Sequence, residues 1–368
     1  MVDEVTKNIE MVSKRLVHFE EAIPKEQFTN VPEKEAEEKG FFLRDFGMNQ
    51  WDWPQGVGIF GLHLEGEKNN TFIKKWADSE IEKGLPTKNI NTICPMLTLM
   101  DFPEYEDLAL EWMEWVENEC PRTKENGLEH ITSGKDKFSV KENPEQIWVD
   151  TLFMTILFMA KMGVKYDNKN WREDALYQVL LHSKYLLDRE TGLFYHGWEF
   201  GERGNFNGVF WCRGNSWFTV GLPLFLSIMQ DYISAPIKNH LQNLYNNQVF
   251  AILKLKEPGK LWHTVLDDSE SYIETSGSAG ILAGIILGVK LGMLDNIISK
   301  EKITQWIREL EEEIDETGVV QNVSAGTPIS EEKENYKEII KIPMVYGQSM
   351  MLLALTAYRN YACGGNIQ

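Results

Sequence analysis

The sequence of 368 residues predicts an all-α fold, an (α/α)6 barrel in which six inner and six outer helices form a single domain spanning residues 1–368. Three observations support this fold. Apolar residues recur with helical spacing along most of the chain, alternating strand patterns are scarce, and apolar helices alternate with amphipathic ones. An apolar helix belongs in the interior of a domain, whereas a helix with one apolar stripe covers that interior. The alternation therefore predicts six helical hairpins around a common axis.

The predicted helices fall into two sets. The apolar, inner helices are predicted at 55–66, 91–100, 146–162, 213–232, 274–292 and 345–361. The amphipathic, outer helices are predicted at 5–19, 71–83, 104–118, 170–188, 236–255 and 298–313. One inner helix carries the glycine series Gly277, Gly280, Gly284 and Gly288. Because glycine lets backbones come close together, this series predicts tight packing of the neighbouring inner helices.

Composition limits the possible partners. The net charge of -19 argues against nucleic acid and anionic membrane surfaces, because both require basic patches on the protein. A small anionic substrate remains compatible with a local arginine or lysine. The most apolar run, residues 277–292, is too short to span a bilayer and contains Lys290.

The cysteines and the N-terminus carry less information. Cys94, Cys120, Cys212 and Cys363 are scattered without a Cys-x-x-Cys pair, which indicates neither a zinc site nor a disulfide framework. The N-terminal segment MVDEVTKNIEMVSKRL is an amphipathic helix rather than a signal peptide, so a cytoplasmic location is expected. No Gly-rich phosphate loop or His-x-x-x-His pair is present, and no metal or cofactor is expected. The oligomeric state is left open.

The loops that precede the inner helices are rich in aromatic residues. All inner helices of such a barrel run in the same direction, so these loops meet at one end. They contain His130, His196, His263 and Arg213, and the tryptophans Trp51, Trp53, Trp148, Trp198, Trp211, Trp217 and Trp262. Loops are usually small and polar, whereas an indole face packs well on the apolar face of a sugar. The loops therefore predict a carbohydrate site, although some of the tryptophans could simply fill the mouth of the barrel.

One carboxylate, Asp150, lies in the apolar segment NPEQIWVDTLFMTILFMA. Asn143 and Pro144 form a helix start signal, which places Asp150 in the second turn, past the amides that need a cap. Its helical neighbours, such as Phe153, are apolar, and apolar surroundings raise the pKa of a carboxyl group. Asp150 is therefore predicted to face a cavity where a carboxyl group is required. The structural alternative is a buried aspartate that a local hydrogen bond satisfies.

Four motifs, WVDTLFM, LFYHGWE, WCRGNSW and LWHTVLDDSESYIETSGSAG, resemble those of glycoside hydrolase family 105, the unsaturated rhamnogalacturonyl hydrolases. The resemblance keeps the same order from Trp51 to the C-terminal VYGQSMMLLAL. A related family, the unsaturated glucuronyl hydrolases, shares the fold and the aspartate-centred mechanism. The resemblance implies removal of a non-reducing-end 4,5-unsaturated uronic acid from lyase-generated oligosaccharides, with unsaturated galacturonyl-rhamnose as the expected substrate.

The implied reaction is hydration of the C4=C5 vinyl ether and not displacement at the anomeric carbon. The central aspartate of the family maps to Asp150, which would act as both acid and base. The substrate-binding residues that the resemblance implies are Trp53, Gln55, Asn91, His130, His196, Trp211, Arg213, Trp217 and Tyr346.

The implied roles differ among these residues. Arg213 has the planar geometry that suits a carboxylate, either that of the uronate or that of Asp150. Trp211 and Trp217 flank it as a sugar platform. Asn91 stands where family members commonly place a second aspartate, and an asparagine cannot exchange a proton. This departure weakens any mechanism with two acids.

Two other classes of protein are alternatives. A sugar epimerase on the same barrel would rely on histidines within the inner helices, whereas His130, His196 and His263 precede them. A non-catalytic sugar-binding protein would keep the tryptophans but would not need a half-buried Asp150. An unsaturated glucuronyl hydrolase acting on glycosaminoglycan-type fragments is the alternative within the same reaction class.

Overall fold

A computed structural model describes residues 2–19, 47–134, 136–294 and 297–364. The inner helices are α2 (Trp53–Glu65), α4 (Met96–Leu99), α6 (Thr151–Met154) with α7 (Ile156–Lys165), α9 (Cys212–Ile228), α11 (Thr275–Lys290) and α14 (Val345–Ala362). The outer helices are α1 (Val2–Val17), α3 (Asn70–Glu82), α5 (Glu106–Asn118), α8 (Lys169–Leu186), α10 (Ala235–Lys254) and α12 (Lys300–Glu311). A further short helix, α13 (Lys333–Glu338), lies in the connection that precedes α14.

The inner helices form a closed ring. In order of contact, α2 packs on α4, α4 on α7, α7 on α9, α9 on α11, α11 on α14, and α14 returns to α2. Each outer helix covers an inner one: α3 packs on α2, α5 on α4, α8 on α7, α10 on α9, α12 on α11 and α1 on α14. The predicted (α/α)6 barrel is confirmed. The predicted single domain, 1–368, includes residues 1, 20–46, 135, 295–296 and 365–368, which lie outside the described residues.

Burial follows the predicted alternation of inner and outer helices. Every residue of α11 from Thr275 to Gly288 is buried. In the outer helix α12, by contrast, the buried residues are Ile303, Ile307 and Leu310, which recur at helical spacing along one stripe. The apolar stripe of each outer helix thus covers a ring of inner helices that are buried on all sides.

The glycines of α11 lie where its neighbours approach most closely. A Cβ atom added to Gly284 would overlap the carbonyl oxygen of Thr219 in α9, and one added to Gly277 would lie 2.6 Å from the backbone nitrogen of Arg213. Gly221 in α9 differs, because its added Cβ would be 3.4 Å from the carbonyl oxygen of Leu152, an ordinary contact.

Gly284→Ala is expected to lower the free energy of unfolding by about 1–3 kcal/mol, because the added methyl group overpacks the contact between α9 and α11. Gly221→Ala is the matched control. It is expected to be neutral or stabilising by up to about 1 kcal/mol, because alanine is the better helix former. Urea denaturation followed by circular dichroism measures both. Equal stabilities of the two variants would contradict the proposed steric difference.

Four short strands form two antiparallel pairs. Strand β1 (Thr132–Ser133) pairs with β2 (Val140–Lys141), and β3 (Gln146–Trp148) pairs with β4 (Gly197–Glu199). In the second pair, Trp148 lies opposite Gly197. The pairing joins two loops at the end of the barrel where the inner helices begin.

The predicted helix start at Asn143 and Pro144 is wrong. The carbonyl of Asn143 instead accepts the amide of Gln146 at 3.2 Å, and Glu145 has φ +58°, so the segment is a β-turn. Strand β3 follows it, and the helix begins only at Thr151. Hydrogen bonding to β4, which is distant in sequence, therefore overrides the local start signal. Asp150 occupies the N-cap position and not the second turn.

Two other boundaries also differ from the prediction. The second inner helix, predicted at 91–100, is a single α-helical turn, Met96–Leu99, preceded by turns. The third inner helix is interrupted at Thr155, whose φ is -125° and whose hydroxyl donates to the carbonyl of Ile90 at 3.0 Å. None of the helices in the described ranges combines the length and the apolar character needed to cross a membrane.

Candidate active site

The N-terminal ends of the inner helices meet at one mouth of the barrel. At the start of α2, the ring of Trp53 stacks on Tyr346 of α14 with centroids 4.7 Å apart. Trp53 also meets the edge of Trp217 in α9 at 6.0 Å. Arg213 of α9 donates to the hydroxyl of Ser276 in α11 at 3.1 Å. The loops predicted to carry the chemistry are therefore brought together.

The strand pair β3–β4 places Asp150 beside His196. The amide of Val149, the residue after β3, donates to the carbonyl of His196 at 3.0 Å. This hydrogen bond continues the ladder and brings the next residue, Asp150, alongside the histidine. The distance from Asp150 Oδ2 to His196 Nε2 is 3.7 Å.

Asp150 is a largely buried carboxyl group with an unsatisfied oxygen. Its side chain is 17% exposed, and Oδ2 has no hydrogen-bond partner among the described residues. Although Asp150 precedes α6, its side chain makes no capping hydrogen bond. Burial raises the pKa of Asp150 to about 6, against the lowering effects of the Arg213 charge and the Trp217 indole N–H. The carboxyl group is therefore about half protonated at pH 6 and about a tenth protonated at pH 7.

His196 is held by Tyr336 on the side away from Asp150. The Tyr336 hydroxyl lies 2.8 Å from His196 Nδ1 and accepts the amide of Ser330 at 3.4 Å. Burial holds the pKa of His196 well below its ordinary value and raises that of Tyr336, so the imidazole is neutral and the phenol keeps its proton. Because the phenol oxygen accepts from Ser330, its own proton is available for Nδ1. This arrangement leaves the imidazole proton on Nε2, the nitrogen that faces Asp150.

His130 contacts Thr151, the residue that follows Asp150. Its Nδ1 lies 3.0 Å from the hydroxyl of Thr151, and its ring stacks on Trp148 at 4.3 Å. Burial lowers the pKa of His130 to about 3, so this imidazole is also neutral. Trp148 in turn meets the edge of His196 at 5.3 Å. His130, Trp148 and His196 thus form one cluster of rings, which reaches Asp150 through His196 and Thr151 through His130.

Consecutive ring contacts join most of the predicted site residues. In order, the members of this aromatic chain are His130, Trp148, His196, Trp211, Arg213, Tyr346, Trp53 and Trp217. The guanidinium of Arg213 lies between two rings, 4.5 Å from Trp211 and 4.7 Å from Tyr346. Trp148 is the one member that was not among the predicted substrate-binding residues.

The guanidinium of Arg213 is already hydrogen-bonded to other groups of the protein. Its Nη1 donates to the hydroxyl of Ser324 at 2.6 Å, and its Nη2 donates to the hydroxyl of Thr327 at 3.1 Å and to the carbonyl of Ala325 at 3.2 Å. Nη1 also lies 3.7 Å from the carboxylate of Glu274. Only Nε is buried without a hydrogen-bond partner among the described residues. A bidentate contact with a uronate carboxylate would have to displace these partners.

Glu274 completes a buried ion pair with Arg213 and caps α11. Its Oε1 accepts the amide of Ser276 at 3.0 Å, and its Oε2 accepts the amide of Gly277 at 2.6 Å. Oε1 also accepts the amide of Ser324 at 3.0 Å. The pair therefore ties the start of α11 to α9 and to the loop at Ser324.

Two predicted residues lie outside the aromatic chain. Gln55 is buried, and its Nε2 donates to the carbonyl of Gly47 at 2.6 Å. Asn91 is buried in the loop before α4, where its amide donates to Asn89 Oδ1 at 2.9 Å. The neighbouring carbonyl of Ile90 binds the third inner helix, so this loop lies next to the helix that follows Asp150.

Three tryptophans of the inner loops have structural contacts. The indole N–H of Trp51 donates to the carbonyl of Thr92 at 2.8 Å, and that of Trp262 donates to the carbonyl of Ile252 at 2.9 Å. Trp198 packs on Tyr185 at 5.5 Å. For these three residues the alternative of a structural tryptophan fits better than that of a sugar platform.

Besides Trp148, which the sequence placed in an entry loop but not among the substrate-binding residues, sequence reasoning missed Glu274 and Tyr336. A signal for Glu274 existed, because an acidic residue directly before the apolar run of α11 suits a helix N-terminus. No local pattern identified Tyr336, whose helix α13 reaches His196 from a connection 140 residues further along the chain.

The site has the features of a carbohydrate-active enzyme. A carboxyl group of raised pKa lies beside a neutral imidazole and a chain of aromatic rings suited to sugar faces. The described residues contain no group of three or more histidine, cysteine, aspartate or glutamate side chains that could hold a metal ion. The (α/α)6 barrel and this site together are those of a carbohydrate-active enzyme.

Comparisons with known proteins identify the family. The profile of Glycosyl Hydrolase Family 88 matches residues 24–362. The unsaturated rhamnogalacturonyl hydrolase YesR of Bacillus subtilis is 31% identical over 329 residues, covering 86% of this chain and 91% of that protein. A possible member of the GH105 family from Salmonella enterica has a crystal structure with TM-score 0.85 and 32% identity, covering 98% of this chain and 94% of that one.

A more distant structure shares the fold. The unsaturated glucuronyl hydrolase from Bacillus sp. GL1 has TM-score 0.68 at 14% identity, and the match covers 96% of each chain. The chain therefore belongs to Glycosyl Hydrolase Family 88 and is a glycoside hydrolase. The resemblance to family 105 is confirmed, and the unsaturated glucuronyl hydrolase shares the fold.

Proposed function

We propose that this chain removes the non-reducing-end 4,5-unsaturated uronic acid from oligosaccharides that a polysaccharide lyase has produced. Unsaturated galacturonyl-rhamnose is the proposed substrate, because the relative that matches over most of the chain is named an unsaturated rhamnogalacturonyl hydrolase. The single observation that supports the reaction best is the environment of Asp150, a largely buried carboxyl group with a pKa of about 6 and an unsatisfied oxygen.

Asp150 has the properties of an acid that protonates carbon. The proposed first step transfers its proton to C4 of the C4=C5 vinyl ether, which leaves positive charge shared between C5 and the ring oxygen. The carboxylate so formed then takes a proton from water as the water oxygen bonds to C5, which regenerates the acid. The resulting hemiketal opens to a ketone at C5, which leaves the ring oxygen on C1 as the hydroxyl of a hemiacetal. That hemiacetal collapses to an aldehyde and releases the aglycone as an alcohol.

The neighbouring residues have proposed positioning roles. His196, with its proton on Nε2, is placed to donate a hydrogen bond to the Asp150 carboxylate once that group has released its proton. Trp211, Trp217 and Trp53 offer ring faces for the sugar. Arg213 contributes its charge, which limits how far burial raises the pKa of Asp150. A substrate role for His130, Gln55, Asn91 and Tyr346 is part of the same proposal.

The reaction is tested with a panel of unsaturated substrates. Purified protein is incubated with lyase-generated rhamnogalacturonan, pectin and glycosaminoglycan fragments, and the ultraviolet absorbance of the conjugated double bond is followed. The fastest loss of absorbance is expected with unsaturated galacturonyl-rhamnose. The same disaccharide with a saturated uronate, which lacks the absorbing double bond, should release no rhamnose. Stable absorbance with every fragment would refute the hydrolase proposal. A preference for glycosaminoglycan fragments would favour the glucuronyl alternative.

The rate should depend on pH through the acid form of Asp150. Since the protonated carboxyl is the donor, kcat/KM is expected to be highest below a pKa of about 6 and to fall about tenfold per pH unit above it. Because the Trp217 N–H lowers this pKa, Trp217→Phe should move the descending limb to higher pH. Initial rates over a range of pH measure both. A limb that stays in place or moves to lower pH would contradict this assignment.

A further inference from the structure

A second cavity lies at the opposite mouth of the barrel. It has a volume of about 730 Å³, within the range of about 300–1,000 Å³ typical of small-molecule sites. Residues from the C-terminal ends of all the inner helices line it: His63, Asp101, Lys161, Ile228, Lys290 and Asn360. We call it the distal cavity. Its lining includes the exposed residue Glu67, so the cavity reaches the protein surface.

An aromatic layer separates the distal cavity from the candidate active site. Phe60, which lines the cavity, meets the edge of Phe153 with centroids 5.7 Å apart. Phe153 in turn packs on Trp217 at 5.3 Å. The two mouths of the barrel are thus distinct spaces, and a ligand in one does not touch the residues proposed for catalysis in the other.

The lysines near this mouth differ in whether their ammonium groups have hydrogen-bond partners. Lys161 donates to Asp101 and to the carbonyl of Leu97, and Lys165 donates to the carbonyl of Met100 at 2.9 Å. Both lysines therefore have partners suited to a helix C-terminus. Lys290 does not, because its Nζ is buried and has no hydrogen-bond partner among the described residues.

An unpaired ammonium group in a buried place is costly unless an anion accompanies it. Burial accordingly lowers the pKa of Lys290. The converging C-termini of the inner helices carry partial negative charge, which disfavours an anion unless a cation such as Lys290 receives it. Among the described lining residues, Lys290 brings one ammonium without a partner to a cavity that Asp101 and Glu67 also line, which suits one negative charge and disfavours a dianion.

Other polar atoms of the cavity also lack partners within the described ranges. They are Thr356 Oγ1, His63 Nδ1 and Asn70 Oδ1, which come from three different helices. Thr356 is fully buried as a residue, so its hydroxyl has no access to bulk water. Buried polar atoms normally have hydrogen-bond partners. The three groups can donate to or accept from hydroxyl groups of a ligand.

Leucines such as Leu157, Leu224 and Leu287 supply much of the apolar part of the lining. We propose that the distal cavity is a second ligand site that takes a small polyhydroxy carboxylate, a sugar acid of one or two rings. Its carboxylate pairs with Lys290 and its hydroxyls bind Thr356, His63 and Asn70. This proposal does not depend on the reaction proposed for the other mouth.

The probe for this site is D-galacturonate, with D-galactose as the neutral control. Isothermal titration calorimetry of the whole chain is expected to detect galacturonate binding that Lys290→Met weakens at least tenfold. Thr356→Val, which is nearly isosteric, should weaken it several-fold, and galactose should bind much less. Lys165→Met is the matched control, because it removes a lysine from the same mouth but not from the cavity lining, and it should bind as the unaltered chain does.

The catalytic mouth could also take galacturonate, so the relevant quantity is the binding that depends on Lys290. Turnover of unsaturated substrates should be unchanged in Lys290→Met and Thr356→Val. Equal galacturonate affinity in the unaltered chain, Lys290→Met and Thr356→Val would overturn the distal site, and so would the absence of binding by protein that turns over substrate. Lys290-dependent binding without any turnover would instead refute the proposed reaction and leave the distal site standing.

Discussion

Asp150→Asn is expected to lower kcat by about 10²–10⁴-fold while leaving substrate affinity nearly unchanged. Asparagine keeps the size and most of the polarity of the side chain, but it cannot release a proton to carbon at C4. Loss of the ultraviolet absorbance of the substrate measures kcat, and calorimetric titration of the inactive variant measures binding. Retention of more than about a tenth of the rate would remove Asp150 from the role of acid.

The matched control for this variant is Asp174→Asn. Asp174 pairs with Arg122 at 2.7 Å between partly exposed side chains on the outer surface of the barrel. Its replacement should cost about 1 kcal/mol of stability or less and leave kcat unchanged. If both variants lost activity to the same extent, general destabilisation and not acid catalysis would explain the effect of Asp150→Asn.

Arg213→Met is expected to lower the free energy of unfolding by about 3–5 kcal/mol. The substitution leaves Glu274 buried without its cation and leaves the acceptors at Ser324, Ala325 and Thr327 without a donor. Chemical denaturation of the whole chain measures the loss. Arg122→Met, which breaks a partly exposed pair, is the control and should cost only about 1 kcal/mol.

A double-variant cycle isolates the buried pair. Glu274→Gln combined with Arg213→Met should be less destabilising than the sum of the two single variants, because the double variant leaves no unpaired buried charge. Arg213→Lys keeps the charge but loses the planar geometry, so an intermediate loss is expected. Unchanged stability of Arg213→Met together with a raised KM would mean that Arg213 binds the uronate carboxylate directly, as the sequence-based prediction holds.

The sequence alone predicted the barrel because its information is periodic and local. The buried face of α11 and the single stripe of α12 follow directly from residue spacing, and neither depends on distant contacts. Eight of the ten predicted site residues come together for the same reason: helices that run in one direction present their entry loops at one mouth. Asp150 was identified from its apolar neighbours, and burial is indeed what raises its pKa.

Tertiary contacts decided what local signals could not. The segment at Asn143 and Pro144 does not start a helix, because β3 pairs with β4 instead. Asp150 therefore occupies the N-cap position beside His196 and not the predicted second helical turn. Tyr336 reaches His196 across 140 residues, a contact that no window of sequence contains.

Arg213 shows most clearly that local sequence does not predict which partner a side chain binds. Its planar geometry predicted a partner for the carboxylate of the uronate or of Asp150, whereas the buried carboxylate that lies 3.7 Å away is a different one. That carboxylate belongs to Glu274, at the start of the next inner helix. The sequence by itself therefore determined which residues gather at the mouth of the barrel. The packing of the helices decided which of them satisfy one another and which, like Asp150 Oδ2, have no hydrogen-bond partner within the described part of the chain, because hydrogen-bond partners are assigned only when the chain is folded.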